Sequence, residues 1–264
     1  MYKLYYMPLN FYCRAARIIL SEKEIPFEII KEPIWKRRID FLKLNPAGDL
    51  PVTVDKENTV IVGYEALVEY LDERKIGKTL LGDNPKEKLE TRRLCMWVSR
   101  KLQKEVMENI LDERVFNSLK ENAEPSTVAL KVGRKNLQNH MAYFNWLLER
   151  RTFLAGDFFS VADISLASAL SSLDYLSELE WSNYKKAKDW YSVIKSKPSF
   201  RDILEENQGL KFDVGDNESS NRDGDRERDG SNGITEELNL ESEVLVGRTM
   251  DSELGSMVGL DILV

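Results

Sequence analysis

Apolar and polar positions in the first part of the chain alternate between two periods. "YKLYYM" is a short run of β-favouring residues, and "YCRAARIILSEKE" puts Ala15, Ile18 and Ile19 on one helical face. "PFEIIKE" predicts a short strand and "KRRIDFLKLN" a short helix, while "LPVTV" and "NTVIV" predict two strands meeting at "DKEN". "YEALVEYLDERK" closes the series as a helix. Beyond it the period-2 signal disappears. "EKLETRRLCMWVSRKLQKEVMENILDERVFNSLKE" and "VALKVGRKNLQNHMAYFNWLLERR" hold helical spacing for many turns, and "NYKKAKDWYSVIKSK" adds a further helix. "GDFFSVADISLASALSSLDYL" has a sharp start. Ser160 can cap the amide of Asp163, the Asp163 carboxylate can reach back, and Phe159 can staple onto Ile164. "KPSFRDIL" repeats that Ser-x-x-Asp start at Ser199 and Asp202.

The order β-α-β-α-β-β-α predicts an α/β thioredoxin-like domain over residues 1–76. A hydrophilic connector with two glycines and a proline follows at 77–85, then an all-α domain at 86–208. From 209 to 264 the chain is first polar and Gly-rich, then regains Leu and Val. Such a stretch buries too little apolar surface to repay its ordering entropy, so a disordered tail is expected. The alternative is a short apolar motif that docks onto a partner.

Charge sharpens this division. Residues 211–264 hold 14 Asp and Glu against 5 Lys and Arg, leaving 31 and 33 in the first 210 residues. The body is nearly neutral and the tail acidic, which gives no footprint for nucleic acid. No run approaches the roughly 18 apolar residues of a membrane span, and no secretory leader is expected from "MYKLYYMPLN". Two distant cysteines imply no disulfide framework and a reducing, cytoplasmic setting. With His140 as the one histidine, a His/Cys metal site lacks ligands, and no metal is expected.

"NFYC" is the first candidate for chemistry, because it reads as Cys-x-x-Cys with Asn10 replacing the first cysteine. Asn donates a hydrogen bond but is no nucleophile. Cys13 begins a helix near Arg14 and Arg17, which would favour a thiolate, yet the second cysteine of the pattern is commonly buried packing. Tyr5, Tyr6 and Tyr12 are nearby hydroxyls, as packing residues or as activators of a thiol. Cys95, Trp97, Trp146 and Trp190 lie in apolar helical patterns and are expected in the core, with His140 structural or at the surface. "EPIWKRRIDF" offers Trp35 in a loop, with Lys36, Arg37 and Arg38 opening the next helix. Trp and Arg dominate interface energetics, although Trp35 can equally pack beneath its loop. Arg92, Arg93, Arg100, Lys101 and Lys104 form a basic helix face, either solvated or lining a dimer.

With "PAGDLPV" and "FLAGDFFSVADISLASAL", this two-domain order resembles the glutathione S-transferase superfamily over about residues 1–206. "PIWKRRIDFLKLNPAGDLPV", "NLQNHMAYFNWL", "LDYLSELEW" and "AKDWYSVIKSKPSFR" resemble one branch, that of FtsZ-localized protein A. The resemblance implies a homodimer that binds, bundles and curves filaments of the tubulin-like division protein FtsZ at the division site, without turnover. It places Asn10 where Ser or Cys is common and a cis-proline at Pro51 after Leu50. It also puts Asp49 at a position usually basic, and Gly63-Tyr64 where an acidic-Ser pair holds the ligand's γ-glutamyl end. The implied glutathione site (Leu50, Pro51, Gly63, Tyr64) is degenerate, so no cofactor is expected. The implied partner surface is Trp35, Arg37, Arg38 and Asp49, beside the old cleft. The alternative is an active glutathione transferase, or a glutathione-dependent isomerase or peroxidase, with Tyr6, Asn10, Tyr12 or Cys13 as the activating group.

Overall fold

In a computed structural model, which describes residues 1–117 and 124–209, the N-terminal elements form a four-stranded sheet with three helices. The strands are β1 (Tyr2–Tyr6), β2 (Phe27–Lys31), β3 (Val52–Val54) and β4 (Val60–Val62), in the order β2-β1-β3-β4. β1 and β2 are parallel, with Tyr2 opposite Phe27, so a crossover must join them, and α1 (Phe11–Glu22) is that crossover. β3 runs antiparallel to β1 and β4, and Asp55 shapes the β3–β4 turn by accepting from the amides of Glu57 and Thr59, both at 2.8 Å. α2 (Ile39–Leu44) and α3 (Tyr64–Glu73) complete the domain.

The "KRRIDFLKLN" helix starts later than its sequence suggests. Ile34–Lys36 is a separate 3₁₀ turn, Arg37 takes a left-handed backbone with φ 44°, and Arg38 is the extended residue before α2. Arg37 cannot propagate a right-handed helix from that conformation, so the three basic residues sit in a reversal rather than on a first turn.

The second part holds α4 (Pro85–Met96), α5 (Trp97–Phe116, wound as a π-helix), α6 (Thr127–Leu148), α7 (Val161–Tyr175), α8 (Lys185–Lys195) and α9 (Pro198–Gly209). No ladder of strands occurs among its described residues, where the one bridge joins Phe153 and Gly156. Gly133 lets α6 approach α5 closely, since a Cβ there would lie 2.7 Å from Ile110 Cγ1. α7 is buried on all sides from Val161 to Leu173, as its run of Ala, Ser and Leu suggests. Ser160 caps the Ala162 amide (3.2 Å) and Asp163 reaches back to the Ser160 amide (3.0 Å), closing the expected capping box. Buried serines of α7 then peg the two halves together. Ser165 bonds the Tyr64 hydroxyl at 2.8 Å, and Ser171 and Ser172 accept from the buried Arg14 guanidinium at 2.7 and 3.2 Å.

Two further expectations need correcting. Ser199 lies inside α9, whose start is Pro198, and its hydroxyl goes to Glu22 across the helix packing instead of capping. Trp146 is not core; it is 38% exposed and its ring stacks under Arg150 at 4.4 Å. The basic face of α4 and α5 is largely spent on ion pairs: Arg92 with Glu69, Arg93 with Glu90, Lys101 with Glu105. Among the described residues no helix is long and apolar enough to cross a membrane, and no group of three or more His, Cys, Asp or Glu is placed to hold a metal. Apart from Gly209, the last residue of α9, the tail lies outside the described residues.

Glu90 joins α4 to the loop after α6 by accepting from Arg93 and Arg151, each with a contact of 2.7 Å. Arg93 first, and then Arg151 against the cost of burial, hold its carboxyl at about 2 instead of 4.5. A depressed carboxyl stabilises the fold above its unfolded value and loses that contribution as pH falls through its folded value. Glu90→Gln is therefore expected to be less stable than the parent at neutral pH, with the gap closing between about pH 4.5 and 2 in urea melts. A gap that stays constant across that window would contradict the assignment.

Candidate functional site

The site is built around the start of α1, where β1 hands the chain over. Leu9 sits at φ 63° and Asn10 caps the helix, its Oδ1 accepting from the Cys13 amide at 3.1 Å. Asn10 is thus engaged locally as a cap. Cys13 is fully buried and its Sγ accepts from the Met7 amide at 3.4 Å. Burial pushes this thiol well above its ordinary range, and the amide bond and Arg14 do not offset it. The low-pKa reading of Cys13 is therefore overturned by desolvation. Arg14 and Arg17, which suggested a thiolate, turn elsewhere. Arg14 serves Ser171, Ser172 and Asn207, and Arg17 lies 3.5 Å from both Asp202 and Glu206 of α9.

Two of the three tyrosine hydroxyls, those of Tyr6 and Tyr12, are also committed. The Tyr6 hydroxyl donates to Glu206 at 2.6 Å, and burial drives its pKa further up. The Tyr12 hydroxyl donates to the Ser99 carbonyl at 2.6 Å. Burial, and then Glu65, Glu108, Asp112 and Asp49, push it up as well. The charges of these four carboxylates, from α3, α5 and the loop before β3, all act on one phenol. No spacing in the sequence signals that effect for Glu65, Glu108 and Asp112. With its one proton donated to a backbone carbonyl, the Tyr12 hydroxyl has none to offer a thiolate sulfur.

The Leu50–Pro51 bond is cis, as the motif implies. The Pro51 carbonyl accepts from the Gly63 amide at 2.9 Å, which fixes the entry to α3. Gly63 stands at φ 85°, a conformation that a side-chain-bearing residue would adopt only with strain. Tyr64 is fully buried, with its hydroxyl on Ser165, so it points into the domain boundary and not into the cleft. Cys95 is buried too. His140 is buried, taking the Trp97 indole N–H at Nδ1 (2.9 Å) and facing Glu105 at Nε2 (3.0 Å). Desolvation lowers its pKa, which suits a neutral structural ring.

After β2, residues 33–38 carry Trp35 to the surface at 38% exposure, while Ile34 is half-buried against the core. Arg37 is exposed. Arg38 is forked onto Glu32, with Nε at 3.1 Å from both carboxylate oxygens. Ile39, at the start of α2, is 72% exposed and belongs to the same patch; its place in a helical pattern hid it. Asp49 is exposed, its carbonyl taken by Asn45 Nδ2 at 2.9 Å, and its charge acts on Tyr12. Trp35, Arg37 and Arg38 thus share one turn, while Asp49 lies in the loop before β3.

Residues 11–74 match the glutathione S-transferase N-terminal domain family, and residues 111–207 match the corresponding C-terminal domain family. FtsZ-localized protein A of Caulobacter vibrioides is 37% identical over 204 residues, covering 76% of this chain and 90% of that protein. The solved structure of FzlA from C. crescentus aligns with a TM-score of 0.75 at 37% identity, over 77% of this chain and 92% of that one. A glutathione S-transferase from Sinorhizobium meliloti aligns with a TM-score of 0.73 at 39% identity, over 78% and 92%.

Proposed function

Because this chain belongs to the glutathione S-transferase superfamily, on its FtsZ-localized protein A branch, we propose that it binds and organises FtsZ filaments and does not turn over glutathione. The observation that carries the reading is the 37% identity, across both domains, to a protein named for its localisation with FtsZ. The state of the cleft supports the second half. Cys13 is buried, Tyr6 and Tyr12 donate to fixed acceptors, and Asn10 is a cap. The charges of Glu65, Glu108, Asp112 and Asp49 that act at Tyr12 would disfavour an anionic tripeptide beside it.

The active site of a transferase is the second reading, and the cis Leu50–Pro51 bond with the shared family fold favours it. Fold alone is a weak warrant for chemistry. Calorimetry with glutathione separates the two: no measurable heat of binding is expected, and tight binding would reverse the ranking.

The protein acts at the division site as a homodimer in this reading. α4 offers a surface for self-association, because Leu89 (70% exposed) and Met96 stand one heptad apart on a single stripe with Arg92 and Arg93. Sedimentation velocity is expected to give a dimer for the parent and a monomer for the Leu89→Glu/Met96→Glu double variant. A dimer that survives both charges would remove α4 from the interface.

A further inference from the structure

Trp35 is held out by a clamp that no part of the functional reading requires, and the clamp is built from two residues six positions apart. β2 ends at Lys31, but the Glu32 amide still donates to the Tyr6 carbonyl at 3.0 Å, so the sheet fixes the Glu32 backbone. The Glu32 side chain is completely inaccessible, although the residue sits at the edge of an exposed loop. Its carboxylate is met by Arg38, through Nε at 3.1 Å to each oxygen and Nη2 at 2.5 Å to Oε2. Arg38 itself stays half-exposed.

The chain between them is a closed reversal. Lys36 donates to the Pro33 carbonyl at 2.9 Å and Arg37 to the Ile34 carbonyl at 3.1 Å, and the left-handed Arg37 turns the chain back toward Glu32. Ile34 faces inward and Trp35 faces solvent at the apex.

We propose that Glu32 and Arg38 form a positioning clamp that sets the Trp35 turn in its binding geometry, so that Arg38 acts on a partner through Trp35 instead of touching it. This rests on the reading of the Trp35 turn as the filament-binding surface. A buried carboxylate stripped of its arginine has to be neutralised or hydrated, and with Arg38 truncated the fork that ties the end of the turn back to Glu32 is gone. An aromatic anchor that is already fixed loses less freedom on binding than one on a loose loop. The bidentate fork matters because it constrains direction as well as distance, which a lysine at the same position would not do. Arg37, exposed beside Trp35, and Ile39 are left as the partner-facing neighbours on this turn.

The test uses the full chain with Arg38→Ala, Arg38→Lys, Glu32→Gln and Trp35→Ala, each measured three ways. Acrylamide quenching of Trp35 is taken as the difference from the same protein carrying Trp35→Phe. Co-sedimentation with assembled FtsZ filaments gives affinity, and thermal melting reports the fold. Arg38→Ala is expected to raise Trp35 quenching and to weaken filament binding about tenfold while melting stays cooperative. Arg38→Lys and Glu32→Gln are expected to fall between Arg38→Ala and the parent in both quenching and affinity, and they decide the matter if Arg38→Ala does not fold. Unchanged quenching in the folded Arg38 and Glu32 variants would overturn the clamp. Weakened binding with unchanged quenching would also overturn it, because Arg38 would then touch the filament directly. Full binding by Trp35→Ala would instead remove the parent reading, and the quenching arm would still judge the clamp.

Discussion

Trp35→Ala is expected to weaken association with FtsZ filaments by about 30-fold or more, the loss of about 2 kcal/mol typical of a truncated aromatic anchor. The size follows from where the ring stands. Trp35 is presented from a hydrogen-bonded turn with Arg37 and Ile39 exposed beside it, so a partner covering the ring also desolvates its surroundings. Ile34 and Phe41, not Trp35, anchor this part of the chain in the core. Removing the indole therefore leaves the fold intact, and the melting temperature is expected to move little. A co-sedimentation titration of parent and variant measures both sides of the claim. A folded Trp35→Ala protein that pellets like the parent would end the assignment of this surface.

The largest effect on stability is expected at Asp163. Its Oδ1 accepts from the Leu154 amide and the Trp190 indole N–H, both at 2.9 Å. Its Oδ2 accepts from the Ser160 amide and hydroxyl, both at 3.0 Å. One buried carboxylate thus ties the loop before α7, the start of α7 and α8 together. Asp163→Ala leaves two amides and an indole N–H without acceptors in a dry core, at about 1–3 kcal/mol each. About 4 kcal/mol or more is a large share of the 5–15 kcal/mol that holds a typical domain folded. Melting is expected about 10 °C or more below the parent. Ser160→Ala removes one cap and is expected to cost about 1 kcal/mol. Comparable melting of Asp163→Ala and the parent would show that the network is not what secures α7.

The Ser160–Asp163 box was legible in the sequence because its partners are three residues apart, so local pattern and tertiary fold demand the same thing. The strands of the N-terminal domain and the wholly buried α7 were legible for a related reason, since burial on one face or on all faces leaves a period. The start of α2 was not. Lys36, Arg37 and Arg38 look like a helical first turn, but Arg37 takes a left-handed backbone and Arg38 turns back onto the buried Glu32. Trp146 misled for another reason: its position fits an apolar stripe, but cation–π stacking under Arg150 satisfies its ring at the surface.

The cleft was half legible. Pro51, Gly63 and Asn10 could be placed because motifs fix them relative to strand and helix ends. Asp49 could be placed the same way, but Glu65, Glu108 and Asp112, whose charges also act on Tyr12, could not, because they lie on α3 and α5 at positions no motif marks. Cys13 shows the limit of local electrostatics. A helix start and two nearby arginines argue for a thiolate in sequence, yet complete burial decides the opposite.

Pelleting of the full chain with FtsZ tests the central claim most directly, with assembled filaments in one arm, unassembled FtsZ in a second, and excess glutathione added to the first in a third. The protein is expected to pellet saturably with assembled filaments, to stay in solution without them, and to be unaffected by glutathione. Retention in the supernatant at every filament concentration, or release from the pellet by glutathione, would contradict it.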